Sequence, residues 1–131
     1  MTAWVVAAAV VAGALGAVAR YGVTRAVARR LPSAQLPRAV LFVNVAGSVI
    51  AGVLLALPGD LQYILVAGFA GGLTTFSTWS VETIQQAMGG RSQAAVGNVV
   101  INLAAGLIGA VLAYAITVGI LVSTGGTALG G

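Results

Sequence analysis

The 131-residue chain has no cysteine, no histidine and only two acidic side chains, Asp60 and Glu82. Without cysteine there are no disulfides, and without histidine as well, zinc-type centres and Ser–His or Cys–His nucleophilic catalysis are excluded. Charge is scarce too: only 6% of the residues are charged, against roughly a quarter in a soluble domain. All six basic residues are arginine, and they lie scattered with no basic face interleaved with aromatics. The net charge of +4 therefore does not point to nucleic acid. No nucleophile–base pair or phosphate-binding loop marks an enzyme. What is present is apolar: 60% of the residues are hydrophobic and the mean hydropathy is +1.07. That composition fits an all-α, multi-pass integral membrane protein.

Four apolar runs are long enough to cross a bilayer at about 1.5 Å per residue: Ala3–Ala28, Pro37–Leu57, Leu61–Met88 and Ser92–Val122. The links between them hold the turn-forming residues, in "RRLPSAQLPR", "PGD" and "GGR". Residues 1–122 thus read as a single four-helix transmembrane domain. The Gly/Ser/Thr-rich residues 123–131 read as a flexible tail. Ala17-Val18-Ala19 mimics a signal-peptidase site, but no basic residue precedes the apolar core, so the first run is expected to be a retained helix.

The third run contains "GGLTTFSTWSVET", Gly71 to Thr83, which carries two glycines, six hydroxyls and a carboxylate. As one straight helix Leu61–Met88 would be about 42 Å long, more than the roughly 30 Å hydrocarbon core requires. Paired glycines are poor helix interior, and Thr74 and Thr75 can bond their own backbone. A break at the centre of this helix is therefore expected. In lipid the freed backbone groups must face protein, water or an ion, and discontinuous helices mark ion and substrate sites in transporters. A glycine-kinked helix packed tightly on a neighbour is the plainer alternative. Elsewhere, small residues such as Gly13, Gly16, Gly47, Gly52, Gly68, Gly72, Gly106 and Gly109 fall at spacings that let helices approach closely.

Polar side chains within spans are few, and they stand as functional candidates by default. They are Arg20 in span one, Asn44 in span two, the hydroxyls and Glu82 in span three, and Asn98 and Asn102 one turn apart in span four. If the helix resumes after Thr74, then Phe76, Trp79 and Thr83 share one face and Thr75, Thr78 and Glu82 the adjacent one. Hydroxyl and amide protons with aromatic ring edges suit a small hydrated anion; a cation would want carbonyls and carboxylates.

These residues carry a resemblance. "GALGAVARY", "LFVNVAGS" and "GFAGGLTTFST" together resemble the small bacterial fluoride channels (Fluc, also called CrcB), over most of the chain. The resemblance implies a fluoride-selective channel in the cell membrane that passively exports the anion. It implies an antiparallel, dual-topology-type dimer of four-helix subunits, with the broken third helices crossing at its centre. A structural sodium ion would be held there by backbone carbonyls, and the matching positions are Gly71 and Thr74. The fluoride path would be lined by Asn44, Phe76, Ser77 and Thr78. Trp79 stands where the family usually has a second Phe, and it either presents a positive edge or plugs the path. Asn102 stands where a hydroxyl is usual. Arg20 matches a family arginine that serves as anchor or as anion attractor. Glu82 also matches and is expected at the mouth, hydrogen-bonded by Thr78 or Thr83. A proton-coupled multidrug exporter would need a carboxylate in span one, and there is none. A non-conducting structural subunit is the other alternative.

With four spans, the N-terminus, the second link and the C-terminal tail lie on one side, which carries no basic side chain. Arg25, Arg29, Arg30, Arg38 and Arg91 lie on the other. The positive-inside rule then places both termini outside. A subunit that inserts both ways should be nearly balanced, so the dimer is either a homodimer or pairs this chain with an oppositely oriented sister subunit. C-terminal reporter fusions should signal only from the outer side. Equal signal from an inside-active reporter would show dual insertion and remove the need for a sister chain.

Overall fold

The computed structural model describes residues 2–32 and 37–128, with side chains as far as residue 125. Every regular element among them is helical: α1 (Ala3–Ala28), α2 (Pro37–Leu54), α3 (Gly59–Tyr63), a π-helical run (Ile64–Ala70), α4 (Gly71–Leu73), α5 (Phe76–Met88) and α6 (Ser92–Ala128). Four stretches are long and apolar enough to cross a membrane, the third being Gly59–Met88. Large apolar side chains point outward all round, as with Val10 (67% exposed) and Leu107 (68%). Such a surface requires lipid or a protein partner.

The first span has the expected bounds. The second ends earlier than expected, at Leu54, where the last turn tightens: Ala56 N–H reaches Val53 O and Leu57 N–H reaches Leu54 O. The links turn at Gly59 (φ +70°) and Gly90 (φ +76°), left-handed conformations that glycine adopts freely. The fourth helix continues through Ala128, past the expected domain boundary at Val122; residues 129–131 of the expected tail lie outside the described residues.

The third span departs from a plain helix. It begins in α3, widens to π-type i→i+5 bonding over Ile64–Ala70, and tightens again in α4. Thr74 (φ −82°, ψ 158°) and Thr75 (φ −141°, ψ 120°) are extended, and α5 starts at Phe76. Gly71 and Gly72, where propensity pointed to the interruption, are both helical. At Gly72 the physical reason is packing. A Cβ on Gly72 would run into Gly13 O, one on Gly16 into Phe69 O, and one on Gly68 would lie 2.6 Å from Ala9 O. These glycines let α1 lie against the third span backbone to backbone. α2 lies against α6 in the same way, with Gly52 meeting Ala110 O, and α5 also rests on α6.

Gly72→Ala should therefore overpack the α1 contact at a cost of about 1–3 kcal/mol. Gly22→Ala, where a Cβ meets nothing within 4 Å, should be neutral or stabilising by up to about 1 kcal/mol. Thermal melts of the two variants in one detergent read the difference; equal melting points would remove the packing argument.

Candidate functional site

The extended pair Thr74–Thr75 leaves backbone groups that a continuing helix would have satisfied, and those of Thr74 and Thr75 themselves find specific partners. Thr74 N–H still reaches Ala70 O at 3.1 Å. The amide of Thr75, which would have bonded Gly71 O, turns instead to Asn44 Oδ1 at 2.8 Å. Asn44 Nδ2 donates back to Thr75 O at 3.2 Å. One asparagine side chain thus pairs with both backbone groups of one extended residue, as a neighbouring strand would. Thr74 O accepts from Arg20 Nη1 at 2.8 Å. Of the two roles expected for Arg20, this contact is anchoring: the cation sits on a carbonyl that would otherwise be bare.

Thr75 also caps the helix that follows. Its Oγ1 accepts from Thr78 N–H at 3.3 Å, satisfying one of the orphan amides at the start of α5. The same hydroxyl lies 3.2 Å from Thr78 Oγ1 and 3.4 Å from Ser77 Oγ. Thr75 is only 8% exposed, so this small hydroxyl cluster is rooted in the protein interior. Gly71 O, released by the Thr75 amide, receives the Thr74 hydroxyl at 3.3 Å, a long bond.

Span four adds the remaining amides. Asn44 Nδ2 reaches Asn102 Oδ1 at 3.2 Å, and Asn102 Nδ2 lies 3.0 Å from both the main-chain and side-chain oxygens of Asn98. The one-turn spacing of Asn98 and Asn102 is therefore a direct contact. Trp79 Nε1 donates to Asn98 O at 3.3 Å, while its ring lies 5.3 Å from that of Phe76, tilted by 58°. The indole N–H is turned toward α6, so what Trp79 presents to the neighbourhood of Phe76 is ring.

Asn44, Thr74, Thr75, Phe76, Trp79 and Asn102 line one open cleft of about 360 Å³, together with Ser48 and Leu103. Of the expected path residues, Ser77 and Thr78 stand beside this cleft rather than in its lining. Both are exposed on the first turn of α5, as is Phe76 (75%). Gly71 is exposed, with a Cβ position that meets only Val66 O at 3.6 Å. Glu82 departs from expectation: its Oε2 is buried without a hydrogen-bond partner among the described residues. The Thr83 hydroxyl expected to serve it donates instead to Trp79 O at 2.8 Å, an i−4 carbonyl on its own helix. Sequence reasoning noted Asn98 but gave it no place in the site; the signal was its spacing from Asn102.

Trp79→Phe should lose the bond to Asn98 O while keeping a ring against Phe76, at a cost of about 1 kcal/mol. Melting in detergent measures it. A loss above about 3 kcal/mol would mean that the ring, and not the N–H, is the larger contribution.

Comparison with known proteins narrows the reading of this site. A family model described as CrcB-like protein, Camphor Resistance (CrcB), matches residues 7–114. Similar curated proteins include the "Fluoride-specific ion channel FluC" of Syntrophotalea carbinolica, 39% identical over 75 residues that make up 52% of this chain and 61% of that protein. "FluC" of Serratia proteamaculans is 36% identical over 85 residues, 60% of this chain and 67% of that protein. "FluC 1" of Thermobifida fusca is 44% identical over 75 residues, 56% and 62% of the two chains. The chain thus spans about three fifths to two thirds of the length of these relatives. The family match takes in α1, α2, the whole third span with its extended threonines, and α6 as far as Tyr114, and on that ground the chain belongs to the CrcB-like family.

Proposed function

We propose that this chain forms a fluoride-selective channel that drains the anion passively from the cytoplasm across the cell membrane. The observation that carries the proposal is the hydroxyl- and ring-lined cleft at the Thr74–Thr75 interruption. α5 begins there, and a helix start carries the positive end of its dipole, which favours an anion. Ser77 and Thr78 bring hydroxyls that can replace a small anion's water, and Phe76 brings a ring whose edge is positive. Family membership and the printed names of the relatives support the same reading. Acid outside converts fluoride to membrane-permeant HF, which re-ionises inside and is trapped. A passive, selective pore is enough to release it, with no enzymatic step.

The interruption also suits a cation on its other side. α4 ends there, and a helix end carries negative charge on its carbonyls. Gly71 O has lost its helical amide and Thr74 O points away from the helix ladder toward Arg20. Oxygen-only donors of this kind fit a structural sodium ion, held by the Gly71 and Thr74 carbonyls. One chain offers two such oxygens, too few to surround a hard cation, whereas a second copy crossing at this point doubles the number. Sodium would neutralise carbonyl charge that lipid cannot solvate. The exposure of Gly71 and Phe76 on a single chain agrees with an antiparallel dimer that covers them. A mixed dimer with an oppositely oriented sister subunit is the second reading, favoured by the one-sided arginines.

Liposomes carrying the purified chain should release fluoride, and chloride far more slowly. Asn44→Asp retains an acceptor for Thr75 N–H but offers no hydrogen to Thr75 O or Asn102 Oδ1, so flux should fall at least 100-fold. Undiminished efflux from that variant would sink the assignment. A Cβ at Gly71 meets only Val66 O, at 3.6 Å, within its own chain, so Gly71→Val should weaken assembly mainly by crowding a second subunit. Replacing sodium with a large organic cation should weaken the same assembly. Indifference of both assembly and flux to that exchange would remove the central ion.

A further inference from the structure

The amides beside the cleft form one chain of hydrogen bonds whose direction is set at both ends. At one end stands the backbone of Thr75. Its N–H can only donate and its carbonyl can only accept, so Asn44 must turn Oδ1 to the first and Nδ2 to the second. Asn44 Nδ2 then requires an acceptor, which makes the nearer atom of Asn102 its Oδ1. At the other end, the Thr83 hydroxyl gives its only proton to Trp79 O at 2.8 Å. Thr83 Oγ1 can therefore only accept from Asn98, which must present Nδ2, at 2.9 Å. That orientation leaves Asn98 Oδ1 facing Asn102, which meets it with Nδ2 at 3.0 Å. The two ends impose the same direction, and Asn98 is where they meet.

We infer that Asn98 is a positioning residue for the proposed anion route, which it does not line. Its carboxamide holds Asn102, and through Asn102 it holds Asn44, in the one orientation that ties Thr75 into the extended conformation. The inference rests on the channel reading for its functional half and on the geometry alone for its structural half. It has a consequence for the route. Both hydrogens of Asn44 are engaged, on Thr75 O and Asn102 Oδ1, and Asn102 Nδ2 is engaged on Asn98. The asparagines therefore act as frame, and the side-chain hydroxyls left to an anion are those of Ser77 and Thr78, on the first turn of α5 beside the cleft. If the Asn98 side chain is removed, Asn102 keeps only the main-chain oxygen as acceptor, and its amide is free to turn over. Turned over, it would set Nδ2 against Asn44 Nδ2, donor to donor, and the hold on Thr75 would loosen.

Two variants of the full chain test this, each judged on fluoride efflux from liposomes and on amide hydrogen exchange at Thr75. Asn98→Leu keeps the shape of the side chain and a strong helix former but removes both polar atoms. It should cut flux at least tenfold and raise Thr75 exchange at least tenfold, with Ala105 and other distant α6 amides unchanged. Asn98→Gln keeps an acceptor and a donor on a longer, flexible stem, and should restore both readouts to within about threefold of the unsubstituted chain. A glutamine variant as impaired as the leucine variant would overturn the inference, because the defect would then be packing. Unchanged Thr75 exchange in the leucine variant would overturn it too, whatever the flux. If the unsubstituted chain itself carries no fluoride, the channel reading falls and the functional half of the inference with it, while exchange at Thr75 still decides the structural half.

Discussion

The structure depends on how two residues of unpaired backbone are accommodated inside a membrane-spanning segment. In hydrocarbon, an unsatisfied amide or carbonyl costs several kcal/mol, and Thr74–Thr75 exposes more than one. Asn44 meets this need by offering an amide in place of an amide: its side chain duplicates the donor and acceptor of a peptide group and pairs with both sides of Thr75. Arg20 takes the neighbouring carbonyl and Thr75 caps the helix that follows. Each of these three residues comes from a different part of the chain. The interruption is therefore a tertiary feature, and α1, α2 and the third span must be in register before it can exist. Polar groups that look scattered along the sequence converge on this one place.

The glycines make that convergence possible by letting the helices come close. α1 touches the π-helical run and α4 at Gly13, Gly16, Gly68 and Gly72, and at the last three a carbonyl lies nearer than any Cβ would allow. Lipid supplies no hydrophobic force between helices, so close van der Waals contact is the main cohesion available. The same closeness brings Arg20, three turns further along α1 than its first contacts, within reach of Thr74 O. On the second seam, Gly52 against Ala110 and Gly106 near Ser48 draw α2 and α6 together, which sets the distance from Asn44 to Asn102. Packing geometry and the polar chain are thus one design: a methyl group added at the seam would lengthen hydrogen bonds that already lie at 3.0–3.2 Å.

How much of this was legible in the sequence differs residue by residue. The four spans were legible because a run of some twenty apolar residues has few other meanings. Interruption of the third span was legible as a need, since the run is too long and too rich in hydroxyls to be a plain helix. Its position was read as starting at the glycine pair and running into the threonines, whereas only Thr74 and Thr75 are extended. Propensity treats Gly71 and Gly72 as helix breakers, but both are helical, and Gly72 is a contact surface for α1, a partner that only the fold reveals. The π-helical run leaves no mark in "ILVAGFA", which reads as ordinary apolar helix. Asn98 and Asn102 were visible as an i, i+4 pair, yet the direction of their hydrogen bonds depends on Thr75 and Trp79, which belong to the third span. Glu82 was misjudged because the Thr83 hydroxyl goes to a carbonyl one turn back on its helix, a competition that side-chain spacing does not express.

An engaged frame has a bearing on selectivity under the proposed reading. A small anion binds its water tightly, so a route that strips this water must offer donors at fixed positions. Donors that can swing outward would solvate larger anions equally well. Freely rotating asparagine amides beside the cleft would be adaptable donors of that kind. Here the amides of Asn44 and Asn102 are held at both ends, by Thr75 and by Asn98, so they cannot swing to follow a larger ion. The hydroxyls of Ser77 and Thr78 remain, short-stemmed and set on the first turn of a capped helix. Trp79 adds to this rigidity, since its N–H is tied to Asn98 O and its ring cannot turn without breaking that bond. Under that reading, rigidity in the frame leaves the short-stemmed hydroxyls as the donors to which an anion must fit, and a small anion fits them with the least adjustment.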